Sequence, residues 1–173
     1  MNTKRQTSRE YFQMLRIMYY ALIAGQMFFG LIALYLNMAD PVDSGENELR
    51  DILIYLVPLF VIFGLIAGNF LYRSRLQVCR KKSDLIEKMS DYRSALILRY
   101  AFLEGPSLFS IIAYLLTGDF LFMGMAIFMI GLFITIPPTR SKAVFDLELS
   151  PEDQQFINNP DSEIASVKTQ TMT

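Results

Sequence analysis

Apolar positions in this chain fall in long unbroken stretches, not on the single stripe of an amphipathic helix. Four stretches stand out. The first covers residues 14–36, with IMYYALIAGQMFFGLIALYL at its heart. The second covers 52–72 (ILIYLVPLFVIFGLIAGNFLY), the third 95–116 (ALILRYAFLEGPSLFSIIAYLL) and the fourth 120–136 (FLFMGMAIFMIGLFITI). A hydrocarbon core about 30 Å thick takes about 20 mostly apolar residues per helical crossing. The first three meet that length, and the fourth can cross with little tilt. A helix buried in a soluble protein keeps a polar face, and these have almost none. The pattern predicts an all-α integral membrane four-helix bundle. The basic start before the first stretch resembles a signal peptide, but the apolar run is too long and no small-x-small cleavage pattern follows. It is read as a retained helix.

The charges between the stretches set the orientation, because short flanks rich in Lys and Arg stay in the cytoplasm. Lys4, Arg5, Arg9 and Arg16 precede the first stretch. Arg73, Arg75, Arg80, Lys81, Lys82, Lys88 and Arg93 occupy the loop 73–94, and Arg140 and Lys142 follow the fourth stretch. The connection after the first stretch is acidic (Asp40, Asp43, Glu46, Glu48, Asp51), with Arg50 its one cation. Four crossings then put every basic flank on one side. Both termini are predicted to be cytoplasmic, in the cell (inner) membrane.

The connections are short. Asp40–Asn47 (DPVDSGEN) reads as a turn, and Thr117-Gly118-Asp119 forces an antiparallel hairpin. The basic loop either extends the helices out of the membrane or lies as an amphipathic segment on the anionic leaflet. Pro137-Pro138 ends the fourth helix. In the tail, 137–173, Ser150-Pro151-Glu152-Asp153 predicts a short helix near 150–158, with Ser as N-cap and Pro at its first position. The residues from Asp161 onward read as disordered.

The two halves look duplicated. YALIAGQMFFGLIALYL from Tyr20 aligns without a gap with YAFLEGPSLFSIIAYLL from Tyr100, matching Tyr20 to Tyr100, Gly25 to Gly105 and Phe29 to Phe109. Gly64 matches Gly131 more weakly. The reading is two tandem helical hairpins related as parallel repeats.

Composition narrows the chemistry. Among 173 residues there is no histidine, no tryptophan and a single cysteine, Cys79. The commonest general base and metal ligand is therefore missing, and no intramolecular disulfide can form. No zinc, nucleotide-loop or nucleophile motif occurs. The expectation is a non-enzymatic protein with no metal and no cofactor. The basic residues flank apolar segments and form no coherent nucleic-acid surface. The bilayer is the predicted partner, with a second copy or another membrane protein alongside it.

Ionisable groups inside apolar stretches cost roughly 2.5–3.5 kcal/mol each on insertion scales and so mark candidate sites. Glu104 lies roughly 12 Å inside the third stretch, and Gln26 roughly 15 Å beyond Arg16 in the first, at the helical rise per residue. Glu104 can be protonated or hydrogen-bonded to Gln26 or a tyrosine such as Tyr100. It can pair with Arg99 or Arg16, or it can be a working proton or cation site. Gly105-Pro106 opens the helix beside it, because Pro106 cannot donate to the carbonyl of Phe102. Pro58 is a second such kink. Gly25 and the Gly64–Gly68 pair offer smooth faces for close helix packing, within the fold or between copies.

The run LEGPSLFSIIAYLL, after a basic loop, resembles the proton-carrying helix of rotary ATPase proteolipid (c-type) subunits. The resemblance covers the second and third stretches. It departs from that pattern in having two further spans and a glycine ladder reduced to Gly64 and Gly68. It implies that Glu104 alone would carry the ion. The chain as a whole resembles small four-span membrane proteins of Bacteroidota-type bacteria through YALxAGQ at Tyr20–Gln26, a resemblance that carries no function. Three roles follow as expectations. The first is an assembly or accessory component that can self-associate. The second is a proton- or cation-coupled channel or carrier using Glu104, Gln26 and Tyr100. The third is an anchor presenting the basic loop or tail to a soluble partner.

Overall fold

The computed structural model describes residues 2–41 and 48–169. In chain order these form β1 (Asn2–Thr7), α1 (Ser8–Ala39), α2 (Glu48–Arg80), α3 (Leu85–Thr117), α4 (Phe120–Ile134), α5 (Arg140–Leu147), α6 (Pro151–Asn158) and β2 (Glu163–Thr169). The molecule is all-α but for one two-stranded ribbon. Helices α1, α2 and α3 are each long and apolar enough to cross a membrane, whereas α4 is apolar but shorter. The acidic turn predicted at Asp40–Asn47 falls largely outside the described residues.

The three long helices exceed a bilayer's needs. Both α2 and α3 run on through the basic segment, leaving only Lys81–Asp84 between them. Asp84 begins α3, its carboxylate accepting from the Glu87 N–H at 3.2 Å. Pro58 and Pro106 lie inside unbroken helices.

The chain divides into two compact units; one cut falls at 137/138, beside the span–tail boundary predicted at 136/137, and two further segments, 1–19 and 70–98, join the tail. The first, here the terminal unit, comprises Met1–Tyr19, Phe70–Leu98 and Pro138–Thr173. The second, the apolar unit, comprises Tyr20–Asn69 and Arg99–Pro137.

In the terminal unit the tail is structured. The stretch read as disordered from Asp161 is instead β2, antiparallel to β1 with Gln6 opposite Ala165. Composition could not reveal this, because the strand's backbone partner is at the other end of the chain. The start of α1 uses the same segment. Ser8 N–H donates to the Ser162 carbonyl at 2.8 Å and Arg9 N–H to that of Pro160 at 3.1 Å. These are N-terminal donors that no helix can satisfy internally. Thr7 and Glu10 add a reciprocal capping box at 3.2 and 3.3 Å. Helix α5 had no sequence forecast; Thr139, two residues beyond Pro137, caps it. Helix α6 starts at Pro151 under a Ser150 cap. Tyr11, Met89, Tyr92, Leu147, Ile157 and Ile164 form a buried core.

In the apolar unit α2 and α3 meet through backbone. A Cβ on Gly64 would stand 2.5 Å from Pro106 Cγ and 2.8 Å from the Phe102 carbonyl oxygen, and one on Gly68 would stand 2.8 Å from Phe102 Cβ. Only glycine fits there. The carbonyl that Pro106 leaves without its helical donor therefore faces a glycine Cα–H, a weak donor. Phe60 meets Phe109 edge-on farther along the same pair, with ring centroids 5.3 Å apart. The acidic end is tied by Arg50 Nε to Asp119 Oδ2 at 2.8 Å, and by the Asn37 amide donating to the carbonyls of Tyr114 and Leu115.

The aligned halves occupy different surroundings. Tyr20 is 62% exposed while Tyr100 is fully buried. Gly64 is packed tight, whereas a Cβ on Gly131 would meet nothing. The return helices α2 and α4 have 33 and 15 residues.

Candidate functional site

Of the predicted constellation, Tyr100 and Glu104 are four positions apart on α3 and share a face, whereas Arg99 does not. At 100° per residue, Glu104 is about 140° round α3 from Arg99. Arg99 instead lines a cavity of about 250 Å³ with Asn69, Leu103 and Thr135. The Tyr100 hydroxyl donates to the Ile136 carbonyl just past α4, at 3.3 Å. Gln26 is 1% exposed, and its amide nitrogen donates back to Leu22 in its own helix. Arg16 is exposed. Glu104 is half-buried, and no hydrogen bond or ion pair links it to another described residue.

Register brings Gln26 back to the depth of Glu104. A Cβ on Gly30 would lie 3.8 Å from Ile111 Cδ1, and Asn37 reaches the Tyr114 carbonyl. These offsets place Gln26 level with residues 103–107. At that level the Gln26 Oε1 and Ser107 Oγ atoms are both buried without a partner. Gln26 also borders an apolar groove of about 270 Å³ between α1 and α4, floored by Ile111. The groove walls are apolar, and a Cβ added at Gly25 or Gly105 would meet nothing within 4 Å. The described residues hold no cluster of metal-ligating side chains.

The terminal unit holds a denser polar cluster that sequence reasoning missed. Asp146 on α5 accepts from the Tyr72 hydroxyl at 2.6 Å and the Tyr92 hydroxyl at 3.3 Å, while Arg80 Nε donates to the Asp146 carbonyl at 2.8 Å. Tyr11 donates to the Met89 carbonyl at 2.7 Å, and the Arg93 guanidinium lies 4.8 Å from the Tyr11 ring centroid. Burial pushes the Tyr11 phenol well above its usual range, against the lowering influence of Arg93. Burial does the same at Tyr92, reinforced by Tyr72 and Asp146. The Cys79 thiol is raised too, by burial and then by Asp91. A buried, protonated thiol is a weak nucleophile. The only advance signal was tyrosines near the basic flanks, without an indication that one carboxylate joins two of them.

In comparisons with protein families, curated proteins and solved structures, nothing matches this chain.

Proposed function

We propose that this chain is a non-enzymatic integral membrane protein with four crossings and both ends in the cytoplasm, serving as an assembly or accessory component that presents its terminal unit to a partner. The pairing of β1 with β2 carries the reading. The two strands side by side support an even number of crossings, with α4 joining the three longer helices as a span. The same unit contains most of the basic flank residues, which agrees with a cytoplasmic side. The rotation of Arg99 away from Glu104, with no hydrogen bond or ion pair linking Glu104 to another described residue, argues against transport, since a relay needs polar groups in succession. The test is flux. Purified chain in liposomes with an internal pH indicator is expected to pass no more protons than empty liposomes under an imposed gradient, and Glu104→Gln is expected to fold as the wild type does. Proton flux abolished by Glu104→Gln would sink the reading.

One observation favours the carrier alternative. Glu104 has no partner, and two orphan polar atoms, Gln26 Oε1 and Ser107 Oγ, lie at its depth. The same flux experiment decides between the two.

A further inference from the structure

The cavity beside Arg99 has a physical cause. Gly64 and Gly68 bring α2 against α3 through backbone and add no side chain to the volume beside their crossing, which Leu65 and Asn69 of the same helix line. The floor is Gly64, Gly68 and buried Leu103, and the rim carries Arg99, Asn69 and Thr135. The space of about 250 Å³ equals about eight water volumes. The rim residues share one depth along the chain. Asn69 is a turn before the end of the second apolar stretch, Arg99 a turn after the start of the third, and Thr135 at the end of the fourth. That depth is the boundary between hydrocarbon and headgroups on the side with the basic flanks. Arg99 already takes part in an interaction within the protein. It is half-exposed beside the cavity, and its guanidinium presents five N–H donors in a fork suited to phosphate. Asn69, exposed at the rim, adds an amide donor.

We infer that this cavity binds the phosphate of an anionic phospholipid, with Arg99 as the charge-bearing contact and Asn69 as the supporting donor. The inference rests on the membrane reading above. The chemistry it recognises is a phosphate oxygen with negative charge, which a free phosphate ion shares, but the interfacial depth and apolar floor select the lipid. Basic pockets between membrane helices bind such headgroups elsewhere.

The test uses the full chain in detergent, offered equal amounts of phosphatidylglycerol and phosphatidylcholine with identical acyl chains, and counts bound lipid by native mass spectrometry. Wild type is expected to favour phosphatidylglycerol about fivefold, the value of one interfacial cation. Arg99→Gln should abolish the preference, and Arg99→Lys should keep part of it. Asn69→Leu, at an exposed position, should lower it without threatening the fold. A wild type without preference, or a preference unchanged in both Arg99→Gln and Asn69→Leu, overturns the site. Inorganic phosphate that displaces the lipid at equal concentration assigns the cavity to a free anion and overturns the lipid. A chain that stays dispersed in water without detergent overturns the membrane reading itself. One that inserts yet shows no headgroup preference overturns the lipid site alone.

Discussion

In the terminal unit, Tyr11, Tyr72 and Tyr92 each send a hydroxyl to an acceptor far away in sequence, and Asp146 serves two of them. In the apolar unit the buried Ser110 and Thr117 hydroxyls bond back within their own helix, and three buried atoms (Gln26 Oε1, Asn37 Oδ1, Ser107 Oγ) have no partner. Arg93 Nε is the one such atom among the described residues of the terminal unit. The α2–α3 contact in the apolar unit is held by shape instead, with glycine backbone against Phe102 and Pro106. The contrast follows from the solvent each unit would face. Where water competes, specific hydrogen bonds fix the arrangement. Where lipid tails are as apolar as leucine, close backbone approach does more to select a partner.

The sharpest way to break this contrast is at the glycine crossing. Gly64→Val puts a branched side chain where even a Cβ lies 2.5 Å from a ring carbon, so the helices must separate. The expected loss is about 4 kcal/mol or more in SDS unfolding. Gly131→Ala, in open space, should leave stability unchanged or raise it slightly through helix propensity. Equal effects at the two sites would remove the claim that shape holds α2 to α3.

A smaller loss is expected in the terminal unit. Asp146→Leu removes the carboxylate that accepts from Tyr72 and Tyr92, costing about 2–3 kcal/mol. Proteolysis should then cut the tail first, with the apolar unit still intact. If the apolar unit melted together with it, the two would be one cooperative body.

Alkaline pH gives the gentlest probe. Tyr11 and Tyr92 hold their protons in the fold far above the usual phenol range near 10, and Cys79 above its usual 9. The unfolded chain therefore releases protons that the native state keeps. These groups contribute their full stability below about pH 9, and it falls as pH rises past 9 and then 10. Tyrosinate absorbance titrated against tail proteolysis should show the terminal unit opening as the phenols ionise. Phenols that titrate near pH 10 with the unit still closed would contradict their burial.

How much of this was readable in advance depended on how local each signal was. Unbroken apolarity is a property of neighbouring residues, so the four helical stretches stood out, as did the Ser150 cap before Pro151. The Gly64–Gly68 pair was legible as a smooth face, but not as the seat of Phe102 and Pro106. The ribbon and the Asp146 cluster were not legible, because Asp146 is separated from Tyr72 and Tyr92 by 74 and 54 residues. Glu104 was visible as a carboxylate in an apolar run. Its separation from Arg99 follows from helix rotation, while the Tyr100 hydroxyl bonds to the Ile136 carbonyl just past α4.

The β1–β2 ribbon also sets an order of events during synthesis. Strand β1 is made first and its partner last, with every apolar helix translated in between. Strand β1 must wait with its backbone unpaired until all six helices have been translated, and so must the first donors of α1. The apolar helices are therefore all made before the terminal unit can be completed. A ribosome stalled before residue 163 would leave a chain that can enter the bilayer and cannot close its ends. Such a chain exposes a strand edge to whatever lies nearby, so quality control has a simple mark by which to tell finished chains from truncated ones.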